Sequence, residues 1–487
     1  MGLSLALNTA RSALLATSSQ IATSARNMAG ADDPGYSRKV VSLVSGAGGT
    51  TVVVTRASDA ALFGRTLSAN SAAAESQALL DGLTTLSRTV GDTSEAGSPA
   101  ARLGALNAAL QAAANRPDNT ALARTAVESA RDLVASLNGA AAAVHDVRAQ
   151  ADRGMADSVA RINDLLGQFD RANRAVMRGT ASGQDVSDGL DDRDRILSQL
   201  SAEIGISVSE RPGGDMAIYT DSGVTLFDRG ARAVTFTPTQ AFTAGTQGAA
   251  VTVDGVPVTG AGSPMRLASG RLAGLATLRD ESAVAYERQL DAIAGAVIDT
   301  FKETSNRSPT DPFYTVPRAG LFWNGQNNVL PGSNTGLAAR ISLNVAVDPQ
   351  FGGDVTLLRD GGLNGADYRS NRLNREGFAD RLRDLADGLA ATRSFDPGPS
   401  LRETTTLAGF AADSAGWLEA SRKAASGDAD YQKTLVSRAT EALSNAVGVN
   451  GDDETALTLQ LERSYTASAK ILTMVDDLLK TLLNVIR

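Results

Sequence analysis

Apolar residues recur every seven positions over the first thirty residues. Leu7, Leu14, Ile21 and Met28 form one line, with Leu3, Ala10, Thr17 and Ser24 at the alternate position of the same seam. The spacing predicts an amphipathic helix over 3–31, roughly 40 Å long at 1.5 Å per residue. Its other face is mostly Ser, Thr, Asn, Gln and Ala, where a solvated helix usually carries Lys and Glu. The far end repeats the design: Leu457, Leu461, Ser464, Ser468, Ile471, Val475, Leu478, Leu482 and Val485 alternate spacings of four and three. A lone helix with one apolar face has little to hold it, and a seam diluted by Thr17, Ser24, Ser464 and Ser468 makes a weak dimer. Both ends are therefore expected to be mobile in the free monomer and to pack on something else. Leu7, Leu14, Ile21, Met28, Leu461, Val475, Leu478 and Leu482 are the expected subunit-interface residues.

Between the ends the period changes several times. Asp33-Pro34-Gly35-Tyr36 is a turn that no helix continues through, and Pro34, Gly35, Tyr36 and Arg38 mark a joint between layers. Val40–Val44, the loop Gly46-Ala47-Gly48-Gly49 and Thr50–Thr55 read as a hairpin. Helical spacing resumes near Ser58, with one helix through Leu79, Leu83, Leu86 and Val90 and a shorter one over Pro99–Asn115. A run of sixty residues from Asn119 to about Arg178 carries Met155, Ile162, Phe169 and Val176 every seven. It would approach 90 Å if Gly139, Gly154 and Gly167 do not kink it.

A helix over Val186–Ile204 gives way at Gly205 to a period of two: Ile206 and Val208, Met216 and Ile218, Val224 and Leu226, then short runs at Val234 and Val251. Helix returns from Arg271 to about Ser305. The stretch from Asn306 to about Gly365 is rich in Pro, Gly and Asn, with one expected strand over Ile341–Val347, and helices follow from Arg375 to the end. The reading is a mainly α protein with β-rich insertions and discontinuous, nested domains. Residues 1–36 plus 455–487 form terminal coiled-coil-like layers. Residues 37–209 plus 266–305 plus 371–454 form a long helical bundle with an N-terminal hairpin, and 210–265 and 306–370 are insertions, the first β-rich and the second irregular. No tandem repeat at a fixed period supports a solenoid.

Length and composition narrow the function. At 487 residues the chain has room for three or four domains, at roughly 100 to 200 residues each. Apolar residues are 43% but aromatics only 4%, which suits closely packed helices better than a pocket lined with rings. The formal charge is −8, with the cations scattered, so a nucleic-acid partner is not expected. Absence of cysteine removes disulfides, thiolate metal sites and cysteine nucleophiles. No window offers the eighteen or so apolar residues of a membrane span, and the first thirty residues lack the basic and apolar blocks of a cleavable signal.

Candidate chemistry is thin. His145 is the only histidine and reads as a group flanking core positions Val144 and Val147. The acidic run Asp185 to Asp194 lacks the ligand spacing of a calcium loop and reads as a helix start favoured by the helix dipole. Asp360 to Asp367 is read as turn residues rather than a metal site. Asp452-Asp453 and Asp476-Asp477 are adjacent on helices, so neither pair converges on one point, and both read as solvated edges. No catalytic, cofactor or metal residue is assigned.

The stretch Asn8 to Tyr36, ending in Asp-Pro-Gly-Tyr-Ser-Arg at 33–38, resembles the N-terminal signature of flagellar axial proteins, and within them the hook-associated protein 1 family. Residues 27–33 read Asn-Met-Ala-Gly-Ala-Asp-Asp where that family usually has Asn-Ile-Ala-Asn-Ala-Asn-Thr. Gly189-Leu-Asp-Asp-Arg-Asp-Arg, Ser269-Gly-Arg-Leu-Ala-Gly-Leu with Arg279-Asp280, and Asn450 to Ile486 are similar to other segments of the family. The resemblance implies a non-enzymatic subunit exported through the flagellar type III apparatus without a cleaved signal. Such a subunit polymerises into a tubular homo-oligomer at the hook–filament junction, outside the cell. The implied partners are further copies, hook protein below, the next hook-associated junction protein above, and an export chaperone on the C-terminal helix. Another flagellar axial protein, a secreted metal-dependent enzyme and a cytosolic coiled-coil scaffold are the alternatives.

Overall fold

The computed structural model describes residues 2–46, 49–91, 95–325, 328–395 and 401–486. The heptads at the two ends become α1 (Gly2–Gly30) and α12 (Gly451–Ile486), which lie against each other as an antiparallel-sequence pair drawn from opposite ends of the chain. After α1, β1 (Lys39–Gly46) and β2 (Gly49–Arg56) pair antiparallel, with Lys39 opposite Arg56 and Gly46 opposite Gly49. Ala47 and Gly48 of the expected hairpin loop lie outside the described residues.

The body is built on α2 (Ala60–Val90), α3 (Pro99–Asn115), α4 (Thr120–Ser182) and α5 (Ser187–Glu203). The Asn119 side chain accepts the first amides of α4 and Gly183 closes it in the left-handed region, 63 residues later. It spans about 95 Å without a break. Packing on neighbours outweighs the roughly 1 kcal/mol that each of its interior glycines costs. Met155, Ile162, Phe169 and Val176 are all buried, as their spacing predicts. Next come α6 (Arg271–Thr277), a π-helical turn (Leu278–Ser282) and α7 (Ala283–Thr300). A Cβ at Gly274 would fall 2.3 Å from the Glu75 carbonyl, so glycine lets α6 cross α2 at close range.

The period-two segment forms two antiparallel three-stranded sheets. The first is β3 (Ile206–Glu210), β4 (Met216–Thr220) and β5 (Thr225–Phe227), and the second is β6 (Val234–Thr235), β7 (Thr252–Val253) and β8 (Val256–Pro257). Phe227 meets Phe169 edge-on at 4.9 Å. A buried polar network fastens the long loop between β6 and β7 to the body. Asp152 of α4 accepts the Thr239 amide at 2.7 Å and pairs with Arg279, which donates to the Ala249 carbonyl at 2.8 Å. Arg148 donates to the Arg279 carbonyl at 3.0 Å. His145 hydrogen-bonds Glu287 at 2.6 Å, beside buried Val144 and Val147.

The second insertion holds β9 (Phe322–Trp323), α8 (Leu337–Arg340), β10 (Ser342–Leu343) and α9 (Thr356–Asp360). The strand expected over Ile341–Val347 is cut to two paired residues, because Asn344 turns the chain by accepting the Ala346 amide at 3.1 Å. Buried Glu303 accepts the amides of Gly362, Leu363 and Asn364, and Asp360 is held by Arg359 and Asn371, so the Asp360–Asp367 loop is a polar latch. Helix does not run on from Arg375 as expected. After α10 (Asp380–Ala390), β11 (Thr392–Ser394) and β12 (Thr404–Thr406) form a hairpin, and Phe395 stacks on Phe410 at 4.0 Å. Pro397 and Pro399 stand where a helix would have had to continue. Then α11 (Leu407–Val447) packs along α2 and leads into α12.

Candidate assembly interface and its joint

The joint is built around Asn27, one helical turn before α1 ends. Its amide nitrogen donates to the Lys39 carbonyl at 2.9 Å and to Glu454 of α12 at 3.0 Å. Its amide oxygen accepts the Lys39 amide at 2.9 Å and the Tyr36 hydroxyl at 3.0 Å. All the capacity of one buried Asn side chain is thus used, and three chain segments meet on it. Ser24 adds a 2.6 Å bond to the other Glu454 oxygen. The Arg38 amide donates to the Val447 carbonyl at 2.8 Å, so the strand leaving α1 and the helix entering α12 are stapled where both cross from pair to body.

The turn explains its own sequence. Asp33 accepts the Gly35 amide at 2.8 Å and Pro34 stops the helix, bringing Tyr36 back over Gly30. A Cβ at residue 30 would lie 2.6 Å from the tyrosine ring, so glycine at this position is what lets the ring lie there. Burial pushes the Tyr36 hydroxyl up to about 12, and nearby Arg26 only partly opposes it. Arg38 is largely exposed, with its guanidinium 3.9 Å from Glu454.

Beneath the turn, the Lys39 ammonium is fully buried against Asp191 of α5, with Asp188 at 3.6 Å. Arg56, opposite Lys39 in the hairpin, reaches Asp191 at 3.1 Å and Asp194 at 2.6 Å. Burial raises the Asp194 carboxyl above its usual range, with the Arg56 charge opposing. The acidic run is therefore more than a dipole-favoured helix start: two of its carboxylates anchor the hairpin. Sequence reasoning missed Asn27, Lys39, Arg56, Asp191 and Glu454. A lysine at the start of a strand of valines was the one local hint, and Asp191 and Glu454, each more than 130 positions from the residues they hold, carry no local signal.

The seam splits each terminal heptad in two. Against α12, α1 buries Ala10, Thr17 and Ser24, while Leu7, Leu14 and Ile21 are half-buried on the flank and Met28 is exposed. Against α1, α12 buries Leu461 and Val475, with Ser468 half-buried between them. The alternate line of α12 faces out: Leu457, Ile471 and Leu478 are exposed, and Met474 on the same side is 64% exposed. Leu15 adds an exposed apolar side chain on α1. Leu482 lies outside the described side chains. Thus Leu461 and Val475 are brought into the pair, whereas Met28 and Leu478 remain exposed. Among the described residues no cluster of three acidic or histidine side chains is placed to hold a metal ion, and no helix is long and apolar enough to cross a membrane.

The two ends of one chain make a single helical layer with unspent apolar surface, latched to a helical body that carries insertions. Residues 83–308 match the family described as Flagellar hook-associated protein FlgK helical domain, and residues 441–485 the one described as Flagellar basal body rod FlgEFG protein C-terminal. Over these two stretches the chain is similar to flagellar hook-associated and axial proteins. Flagellar hook-associated protein 1 of Salmonella typhimurium and that of Salmonella typhi are each 28% identical over 119 residues, 24% of this chain. The match spans 22% of the length of these relatives. The solved flagellar hook junction protein FlgK from Burkholderia pseudomallei has the same fold, with a TM-score of 0.56 at 13% identity, covering 78% of this chain and 99% of that one.

Proposed function

We propose that this chain is a structural, non-enzymatic subunit of the bacterial flagellum that polymerises into the zone between hook and filament after type III export. In this reading residues 1–36 plus 455–487 form the inner tube, 37–209 plus 266–305 plus 371–454 the helical body, and the insertions 210–265 and 306–370 face outward. Copies of the chain meet through Met28, Leu478 and Leu482, with Leu7, Leu14 and Ile21 on the flank, whereas Leu461 and Val475 hold α12 to α1 within one copy. Hook protein contacts one rim and the next hook-associated protein the other, and an export chaperone covers the apolar side of α12 beforehand.

The observation that carries the reading is the exposed line Leu457, Ile471, Met474 and Leu478 on a helix whose opposite line is already filled within the chain. A finished monomer has no use for a second apolar stripe, and a polymer does. Pro34, Gly35, Tyr36 and Arg38 then serve as the joint that fixes the tube layer to the body. Deleting residues 1–30 or 457–487 is expected to leave a soluble middle with a cooperative melt and no attached filaments. Cells that assemble full-length filaments on either truncated protein would overturn the reading.

A further inference from the structure

We propose that the face of the second insertion carrying Phe313 and Val316, extended by Leu373, is a lateral contact site for an acidic surface of a second copy of this chain. This rests on the polymer reading above and adds a contact remote from the terminal helices. Phe313, Leu373 and Val316 are 71%, 70% and 58% exposed, among the most open large apolar side chains described. They belong to one surface, because the segments bearing them are zipped together. Asn306 donates its amide to the Asp367 carbonyl at 2.8 Å and its side chain to the Arg369 carbonyl at 2.7 Å. The Tyr368 hydroxyl donates to the Val316 carbonyl at 2.7 Å, Arg372 to the Asn306 carbonyl at 3.3 Å, and Arg307 lies 5.6 Å from the Phe313 ring. Three side chains this open present on the order of 300 Å² of apolar surface, a size at which a patch on a monomer is often functional.

Charge selects the occupant. Residues 306–318 and 367–376 hold five arginines, Arg307, Arg318, Arg369, Arg372 and Arg375, against Asp311, Asp367 and Glu376, a local excess of two positive charges on a chain of net −8. Arg307 and Arg369 are paired with carboxylates, whereas Arg318, Arg372 and Arg375 have no carboxylate partner among the described residues. The matching surface is on the chain itself: Asp380, Asp384 and Asp387 are exposed at helical spacing on one face of α10, and Asp384 and Asp387 make no ion pair among the described residues. A basic apolar patch and an acidic stripe on one chain make a heterologous, head-to-tail contact between copies. The patch is well below the roughly 800 Å² per partner of a stable complex, so it does not dimerise the free protein. It acts once the terminal helices hold copies side by side and raise their effective concentration.

The test places a photo-crosslinking amino acid at Leu373 of the full chain in flagellated cells and examines sheared flagella after irradiation. The expected product links two copies through a peptide containing α10, and Arg372→Glu with Arg375→Glu lowers its yield at least fivefold. A link to another protein, a link to a different surface, or no link in flagella that contain the protein overturns this inference alone. Absence of the unlabelled wild-type protein from sheared flagella sinks the polymer reading, and this contact with it.

Discussion

The long helix α4 and the α1/α12 pair follow the same seven-residue period and use it in opposite ways. In α4 the recurring positions are large, and Met155, Ile162, Phe169 and Val176 are closed off by the helices and sheets around them. In the pair, the line of α1 that is closed off is Ala10, Thr17 and Ser24, while the larger Leu7, Leu14, Ile21 and Met28 sit on the flank or in the open. Small residues let two helices approach but bury little area, so the seam gives geometry more than energy. The body is a closed core, whereas the pair keeps part of its apolar surface open.

The largest effect that separates the two regions is expected from Phe169→Ala. It removes a ring in edge contact with Phe227 and should cost about 3–5 kcal/mol in denaturant unfolding of the body. Leu478→Ala, by contrast, should change unfolding by under about 0.5 kcal/mol, because the side chain is 51% exposed, yet reduce incorporation into flagella. Comparable destabilisation by both would mean that α12 is a core helix after all.

The joint is the next place to break the contrast. Asp191→Asn leaves the buried Lys39 ammonium with only the exposed Asp188 at 3.6 Å, and removal of one member of a buried pair costs about 3 kcal/mol. The loss should be local: faster amide exchange from Asn27 through Val40, with α4 unchanged. Equal acceleration in both would show that pair and body unfold as one unit.

A slightly smaller effect, confined to the body, comes from Asp291. Burial pushes its carboxyl up to about 6 even though it accepts the Gly336 and Ala338 amides at 2.7 and 2.9 Å. Because the folded value is raised, this group stabilises the fold below about pH 4. The contribution is lost as pH rises through 6, by up to about 3 kcal/mol. Asp291→Asn should flatten that part of the stability–pH curve, at the expense of about 1 kcal/mol for one lost amide bond. The amide protection of α1 should show no such pH dependence.

Periodicity made the helices legible, and α3 matches its expected bounds because Ser98 caps it, Pro99 occupies its first turn and Pro117 follows it. Where the structure departs from the pattern, at Ile341–Val347 and after Arg375, a turn made by the Asn344 side chain and a short backbone-paired hairpin replace the expected run, and neither leaves a period. The site divides the same way. The heptads flagged the right helices, but a four-three spacing cannot say which of its two lines is filled within the chain, since that depends on the partner's residues. In the sequence Asn27 stands out only as part of a resemblance. Its role emerges when Tyr36, Lys39 and Glu454 are brought to it from 9, 12 and 427 positions away.

The smallest expected effect probes how the pair is aimed rather than how it is held. Tyr36→Phe removes the hydroxyl that donates to Asn27 and keeps the ring over Gly30, so it should cost about 1 kcal/mol near neutral pH. In the wild-type protein the folded value is raised from 10.0 to about 12, so the tyrosine's contribution is intact below pH 10 and lost as pH rises through 12. Amide exchange at Asn27 and Lys39, compared at pH 8 and after brief exposure to pH 11, should favour the wild-type protein at the lower pH and show the gap closing at the higher. The phenylalanine variant has no hydroxyl to ionise and should show only the alkaline loss shared with the rest of the fold. A gap that stays constant with pH would mean that the hydroxyl ionises without disturbing Asn27, leaving ring packing on Gly30 to aim the pair alone.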